Sequence, residues 1–104
     1  MSFSFKKEDD YKNLHPKIAT YMEVFIQHRI EAFAKLKAYV ADENFEKIRD
    51  FCHAQLGVAA SYKCYKLEEI IKYMQEYARS EDIKPIREVL PVFETYLREL
   101  KSDQ

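Results

Sequence analysis

The chain has only one glycine and three prolines in 104 residues, so very little in it interrupts a helix. Apolar residues recur at intervals of three and four along most of its length, which is the period of an amphipathic helix. No segment shows the two-residue alternation that is typical of a half-buried strand. The sequence therefore predicts an all-α protein.

The first long helix is expected to start at Pro16, because proline suits the first helical position and disfavours helix at the residue before it. From Ile18 to Val40 the apolar residues, Tyr21 among them, keep helical spacing. We therefore predict one uninterrupted amphipathic helix over this range. Residues 1–14 are polar with scattered aromatics and form a short N-terminal extension before it.

A second helix carries His53. We expect Asp42 to be its N-cap, because a short carboxylate side chain accepts hydrogen bonds from the free N–H groups at a helix start. The cysteines, Cys52 and Cys64, are expected in this same helical stretch, about 18 Å apart along its axis and too far apart for a disulfide. Because no CxxC or HxxxH spacing accompanies them, we predict reduced thiols and no metal site.

Two further helices complete the predicted set. One starts at about Leu67 and ends at a turn and N-cap over Ser80–Asp82, and the other has Pro85 in its first turn. Pro91 lies inside that last helix, where it removes one backbone hydrogen bond and should bend the helix. Four amphipathic helices on short connections bury their apolar faces most simply as an antiparallel four-helix bundle, which we predict for residues 15–104.

The charge balance limits the possible partners. Seventeen Lys and Arg residues stand against 18 Asp and Glu residues, so the chain has no basic excess for nucleic acid. It also has no apolar run of the roughly 20 residues that a membrane span needs, and no signal peptide at its start. We expect a cytoplasmic monomer, and the Met1 start favours a free-standing protein.

The stretch from Phe51 to Tyr62 places the chain's glycine inside a predicted helix, where glycine costs about 1 kcal/mol relative to alanine. Gly57 follows His53 by four positions, so both lie on one face, one turn apart. Neutral imidazole is a nucleophile near pH 7, and small neighbours would let another protein approach it. Alternatively, Gly57 only permits close packing between helices of this chain, and His53 is an ordinary surface histidine.

The order of elements and the motif at His53 resemble the histidine phosphotransfer (Hpt) family. Hpt domains carry His-x-Leu-Lys-Gly followed by small residues, and here HAQLG runs from His53 to Gly57 and is followed by VAAS. The resemblance extends from about Ile18 to Leu100. It implies a protein that accepts a phosphoryl group on His53 from the aspartate of one receiver domain and passes it to another receiver.

One family position differs in this chain. The family's Leu-Lys pair is replaced by Gln55-Leu56, so the lysine that usually follows the histidine by three residues is missing. The resemblance gives that lysine the role of complementing the phosphoryl charge. The best local substitute is Arg49, one turn before His53, with Lys63 more distant.

The resemblance also implies supporting residues. Family members often hold the histidine with a glutamine from the following helix, and Gln75 occupies that position. Its oxygen would accept the Nδ1 hydrogen and leave Nε2 as the nucleophile; alternatively, it is a solvated polar residue. The receiver is expected to dock on the first long helix and the His53 helix, with Leu56 and Ala60 in contact.

A single glycine excludes a P-loop and other glycine-rich phosphate cradles, so we expect neither ATP-dependent kinase activity nor a cofactor. Any Mg²⁺ used in transfer would belong to the receiver. The leading hypothesis is a phosphorelay intermediate. The second is a non-catalytic Hpt-like adaptor that binds and regulates a receiver or kinase, which the missing lysine favours. An unrelated helical interaction bundle is the third.

Overall fold

A computed structural model of the protein describes residues 3–104, and all the regular structure in that range is helical. A 3-10 turn at Tyr11–Asn13 is followed by five α-helices, which are α1 (Pro16–Ala19), α2 (Met22–Ala41), α3 (Phe45–Ser61), α4 (Tyr65–Arg79) and α5 (Ile83–Ser102). The all-α prediction is confirmed. None of the helices in the described range combines the length and the apolar character needed to cross a membrane.

The first predicted helix is interrupted, so the prediction of one continuous helix from Ile18 is wrong. Thr20 and Tyr21 separate α1 from α2. The Thr20 hydroxyl donates to the carbonyls of Pro16 and Lys17, at 2.9 and 3.0 Å, in competition with continued helix. Ile18 and Tyr21 are 39% and 61% exposed, so core contacts do not hold α1 in line with α2.

The connections between the long helices share one geometry. Each has three residues, and its middle residue is left-handed: Glu43 (φ 49°), Lys63 (φ 55°) and Glu81 (φ 54°). In the first connection, the N–H of Asn44 donates to the carbonyl of Tyr39 at 2.9 Å, and the other two connections repeat this bond. This pattern is the Schellman motif, which satisfies the free carbonyls at a helix end.

These turns change two of the predicted positions. Asp42 is the C-cap of α2, and Asn44 is the N-cap of α3, its side chain accepting from the N–H of Lys47 at 3.2 Å. Cys64 is the N-cap of α4, so the expectation that Cys52 and Cys64 share one helix is wrong. Both thiols are free and buried.

The four long helices contact one another in a ring, in which α2 packs on α3, α3 on α4, α4 on α5, and α5 on α2. Each contributes fully buried apolar side chains to one core, for example Leu36, Ile48, Ile71 and Phe93. The turn at Ser80–Asp82 and the interior position of Pro91 in α5 agree with the sequence prediction.

The N-terminal segment, residues 3–14, is packed against α4 and α5. The Asp9 carboxylate accepts from the Tyr96 hydroxyl at 2.7 Å and from the backbone N–H of Lys66 at 2.8 Å. Two backbone N–H groups of the segment also donate to the Glu69 carboxylate. Because these partners are far apart in sequence, the segment ties the start of the chain to its last two helices.

Candidate functional site

Helix α3 places His53 on its solvent side. Its core side carries Ile48, Cys52 and Ala59, which have no exposed surface, while His53 and Gly57 are exposed on the other side, one turn apart. The imidazole forms no hydrogen bond or ion pair within residues 3–104. The ring is therefore exposed and not engaged by the described part of the chain.

Gly57 faces open space. A methyl group added at its Cα would meet no neighbouring heavy atom within 4 Å, and its φ is negative, so neither packing inside this chain nor backbone conformation requires glycine there. The interpretation that Gly57 permits close packing of helices within the chain is wrong. What remains at this position is a bare stretch of helix beside the imidazole.

The thiol next to His53 is not a competing nucleophile. Burial raises the pKa of Cys52 to about 12, so the thiol stays protonated at neutral pH. Thiols react as thiolates, and this one is also inaccessible. Among the neighbouring side chains of α3, the exposed imidazole is thus the group suited to nucleophilic attack near pH 7.

The basic residues suggested for phosphate charge are engaged elsewhere. Arg49 Nη1 donates to the carbonyl of Ala78 at 3.0 Å and lies 3.6 Å from the Glu81 carboxylate, so it caps the C-terminal end of α4. Lys63 donates to the carbonyl of Asn13 at 3.2 Å. The sequence could not indicate that Arg49 is engaged at the end of α4.

The two residues expected to contact a partner, Leu56 and Ala60, are only partly exposed. Leu56 is half-buried and packs against the core, so part of its side chain already serves the fold. Ala60 is also half-buried. Gln55, the other residue of the replaced pair, has a buried side-chain oxygen with no hydrogen-bond partner.

Gln75 lies half-buried on α4. Within the described chain, its side chain and that of His53 form no hydrogen bond with each other. The contact implied by the family resemblance therefore stays a prediction.

Two features beside α3 were not predicted from the sequence. Tyr21 and Val24 expose 61% and 52% of their surface near the start of α2. Phe25 stacks on Tyr62 with ring centres 4.1 Å apart, so this end of α2 lies beside the end of α3. The second feature is Arg29 on α2, a half-buried cation without an ion-pair partner among residues 3–104. In the sequence, Tyr21, Val24 and Arg29 fit the spacing of any amphipathic helix. Only the packing shows that the first two are exposed and that the third is half-buried.

Comparison of the chain with known protein families, with curated proteins and with solved structures finds no match.

Proposed function

We propose that this chain is a histidine phosphotransfer protein, in which His53 accepts a phosphoryl group from a receiver-domain aspartate and passes it to a second receiver. The observation that carries the proposal is the exposed imidazole beside Gly57, whose missing side chain opens onto empty space. In-line attack on phosphorus requires a partner's backbone to come close to the ring. A bare helix surface next to the nucleophile permits that approach.

The position of the glycine supports this use. Glycine relieves strain at left-handed positions, yet Glu43, Lys63 and Glu81 occupy the three such positions in the helix connections. Gly57 instead lies within α3, where glycine is destabilising by roughly 0.5–1 kcal/mol relative to alanine. A residue that lowers stability and fills no internal need is expected at a surface that serves a partner.

We infer that the four long helices form an antiparallel four-helix bundle, because connections of three residues return each helix along the one before it. The Arg49–Ala78 hydrogen bond then aligns α3 with α4. One turn along α3 leads to His53, and one turn back along α4 leads to Gln75. This register supports Gln75 as the positioning residue that accepts the Nδ1 hydrogen of His53.

The receiver is proposed to dock on α2 and α3. The exposed side chains of Tyr21 and Val24 lie at the end of α2 that the Phe25–Tyr62 stack holds beside the end of α3. Exposed large apolar residues that lie together are typical of interaction surfaces, and a binding surface needs an apolar centre. Ala60 and the exposed part of Leu56 extend the proposed surface around His53.

In the proposed step, the Nε2 lone pair of neutral His53 attacks the phosphorus of the receiver's aspartyl phosphate. The new P–N bond forms as the P–O bond to the aspartate breaks, and the carboxylate leaves with that electron pair. The Nδ1 proton stays on the ring, and the Nδ1–H group donates a hydrogen bond to the side-chain oxygen of Gln75. Transfer to the second receiver reverses these bond changes, so no cofactor of this chain takes part.

Labelling by a phosphorylated receiver tests the proposal. The native protein should gain acid-labile, base-stable phosphate, whereas His53→Gln should gain none while binding the receiver with similar affinity. His15→Gln is the matched control, because His15 is also exposed but precedes α1, outside the proposed docking helices, and should leave labelling unchanged. Equal labelling of native protein and His53→Gln would place the chemistry elsewhere.

The adaptor function is the second candidate, because Arg49 and Lys63, the residues suggested as substitutes for the missing lysine, are already engaged within the chain. In this case, phosphorylated receivers would bind the native protein, and His53 would remain unlabelled with every receiver tested. In either function we propose that the chain acts in the cytoplasm as a monomer.

A further inference from the structure

A groove of about 400 Å³ separates α2 from α3. These two helices form the least extensive of the four contacts in the ring. Tyr39 and Phe51 give the groove apolar surface, and the cations of Arg29, Lys35 and Lys47 also line it. Its volume lies within the range of pockets that hold small molecules.

Arg29 lacks a counter-charge. Its guanidinium carbon lies 4.9 Å from the centre of the Phe25 ring, and its Nε and Nη1 atoms are buried without a hydrogen-bond partner. Burial lowers the pKa of Arg29, but a guanidinium keeps its charge at neutral pH. Buried charges in proteins are ordinarily paired, and no carboxylate in residues 3–104 forms an ion pair with this one.

The other charged groups that line the groove do not neutralise this cation. Lys35 and Lys47 also form no ion pair within the described part of the chain. The groove contains two carboxylates: Glu31 accepts from the Gln27 amide at 3.4 Å, and Asp50 is exposed. Neither of them pairs with Arg29, so the groove has three cations to two anions and one unmatched positive charge.

We propose that this groove binds a small organic oxyanion, with its carboxylate or phosphate against Arg29 and its apolar or aromatic body against Ala32 and Phe51. Because Nε and Nη1 are buried, the oxyanion is expected to approach the remaining guanidinium nitrogen, Nη2. This site does not depend on phosphotransfer at His53.

Binding of three probes tests the site. Phenyl phosphate and benzoate have an aromatic body with different charged groups, and inorganic phosphate has no body. We expect at least one aromatic probe to bind at least tenfold more tightly than inorganic phosphate, measured by calorimetry and by NMR shifts of the Gln55 side-chain amide. The aromatic probe that binds more tightly identifies the charged group that the groove prefers.

Arg29→Met provides the decisive variant, because methionine keeps an apolar stem over Phe25 and removes the unpaired charge. It should weaken binding of the preferred probe at least tenfold. Arg79→Met removes one exposed cation from α4, outside the groove, and should leave the affinity unchanged. Lys35→Gln, which alters an exposed residue of the groove on the same helix as Arg29, should weaken binding several-fold even if Arg29→Met folds poorly.

Equal affinity of the native protein and both groove variants would overturn the proposal. Absence of binding by every probe up to about 10 mM would also overturn it, because binding weaker than this is too slight to indicate a built site. The groove would then hold water alone. Neither result would bear on labelling of His53.

Discussion

The two sides of the molecule satisfy their polar groups differently. Where the N-terminal segment crosses α4 and α5, Asp9 and Glu69 accept hydrogen bonds from groups 87 and 63 positions away in sequence. Around His53, the imidazole has no partner in the described chain and Gly57 meets open space. Contacts between distant parts of the chain fix the first region, whereas the second is open to solvent.

Removing the Asp9 carboxylate should have the largest effect on stability. Asp9→Ala leaves the buried Tyr96 hydroxyl without its acceptor, and we expect a loss of about 2 kcal/mol in the free energy of unfolding, measured in urea. The matched control is Glu8→Ala, because the Glu8 carboxylate is 87% exposed and only pairs with Lys66. Exposed pairs contribute about 1 kcal/mol at most.

Thiol alkylation would show whether that loss is local. Burial raises the pKa of both Cys52 and Cys64 to about 12, so neither thiol should react at pH 8 until the structure around it opens. Asp9 lies close to Cys64, and Asp9→Ala should therefore speed alkylation of Cys64 more than that of Cys52. Equal acceleration of the two would mean that the segment does not open separately.

Arg49→Met should have a smaller effect. It removes the hydrogen bond to the Ala78 carbonyl, and we expect the free energy of unfolding to fall by about 1 kcal/mol. Glu81→Gln removes only the exposed ion pair and should cost less. Because Arg49 is engaged at the end of α4, Arg49→Met should leave the rate of His53 labelling unchanged. A tenfold slower rate would show that the guanidinium reaches the phosphoryl group.

Gly57→Ala should have the smallest effect on stability, and in the opposite direction. Alanine has the higher helix propensity and meets no neighbour at this position, so we expect a gain of about 0.5–1 kcal/mol. The receiver should nevertheless bind less tightly, because the added methyl occupies the approach to His53. Ala54→Gly, at another exposed position of α3, calibrates the effect of helix propensity alone. Unchanged receiver affinity for Gly57→Ala would remove this glycine from the docking surface.

The helical period is sufficient to predict the four long helices, because the spacing of apolar residues within a helix is a local property of the sequence. It could not predict the break at Thr20 and Tyr21, since Ile18 and Tyr21 fit the same spacing and only the packing shows that nothing covers them. The cap at Asn44 was missed in favour of Asp42 because the three-residue connection sets which of two suitable residues precedes α3.

For the site, the sequence could predict the exposed face shared by His53 and Gly57, since both positions lie one helical turn apart. It left two interpretations of Gly57 open, and the choice between them depended on whether a neighbouring helix covers that face. The engagement of Arg49 by α4 and the isolation of Arg29 are likewise properties of helix packing. Residue spacing within one helix contains no information about either.

The three connections with left-handed Glu43, Lys63 and Glu81 also have a consequence for how fast the chain folds. Because each joins its two helices through three residues, most of the native contacts form between neighbours in sequence. Helical proteins with such low contact order fold in microseconds to milliseconds. The contact of α5 with α2 is the one in the ring that closes a long loop. We therefore expect formation of this last contact, and not of the turns, to limit the folding rate.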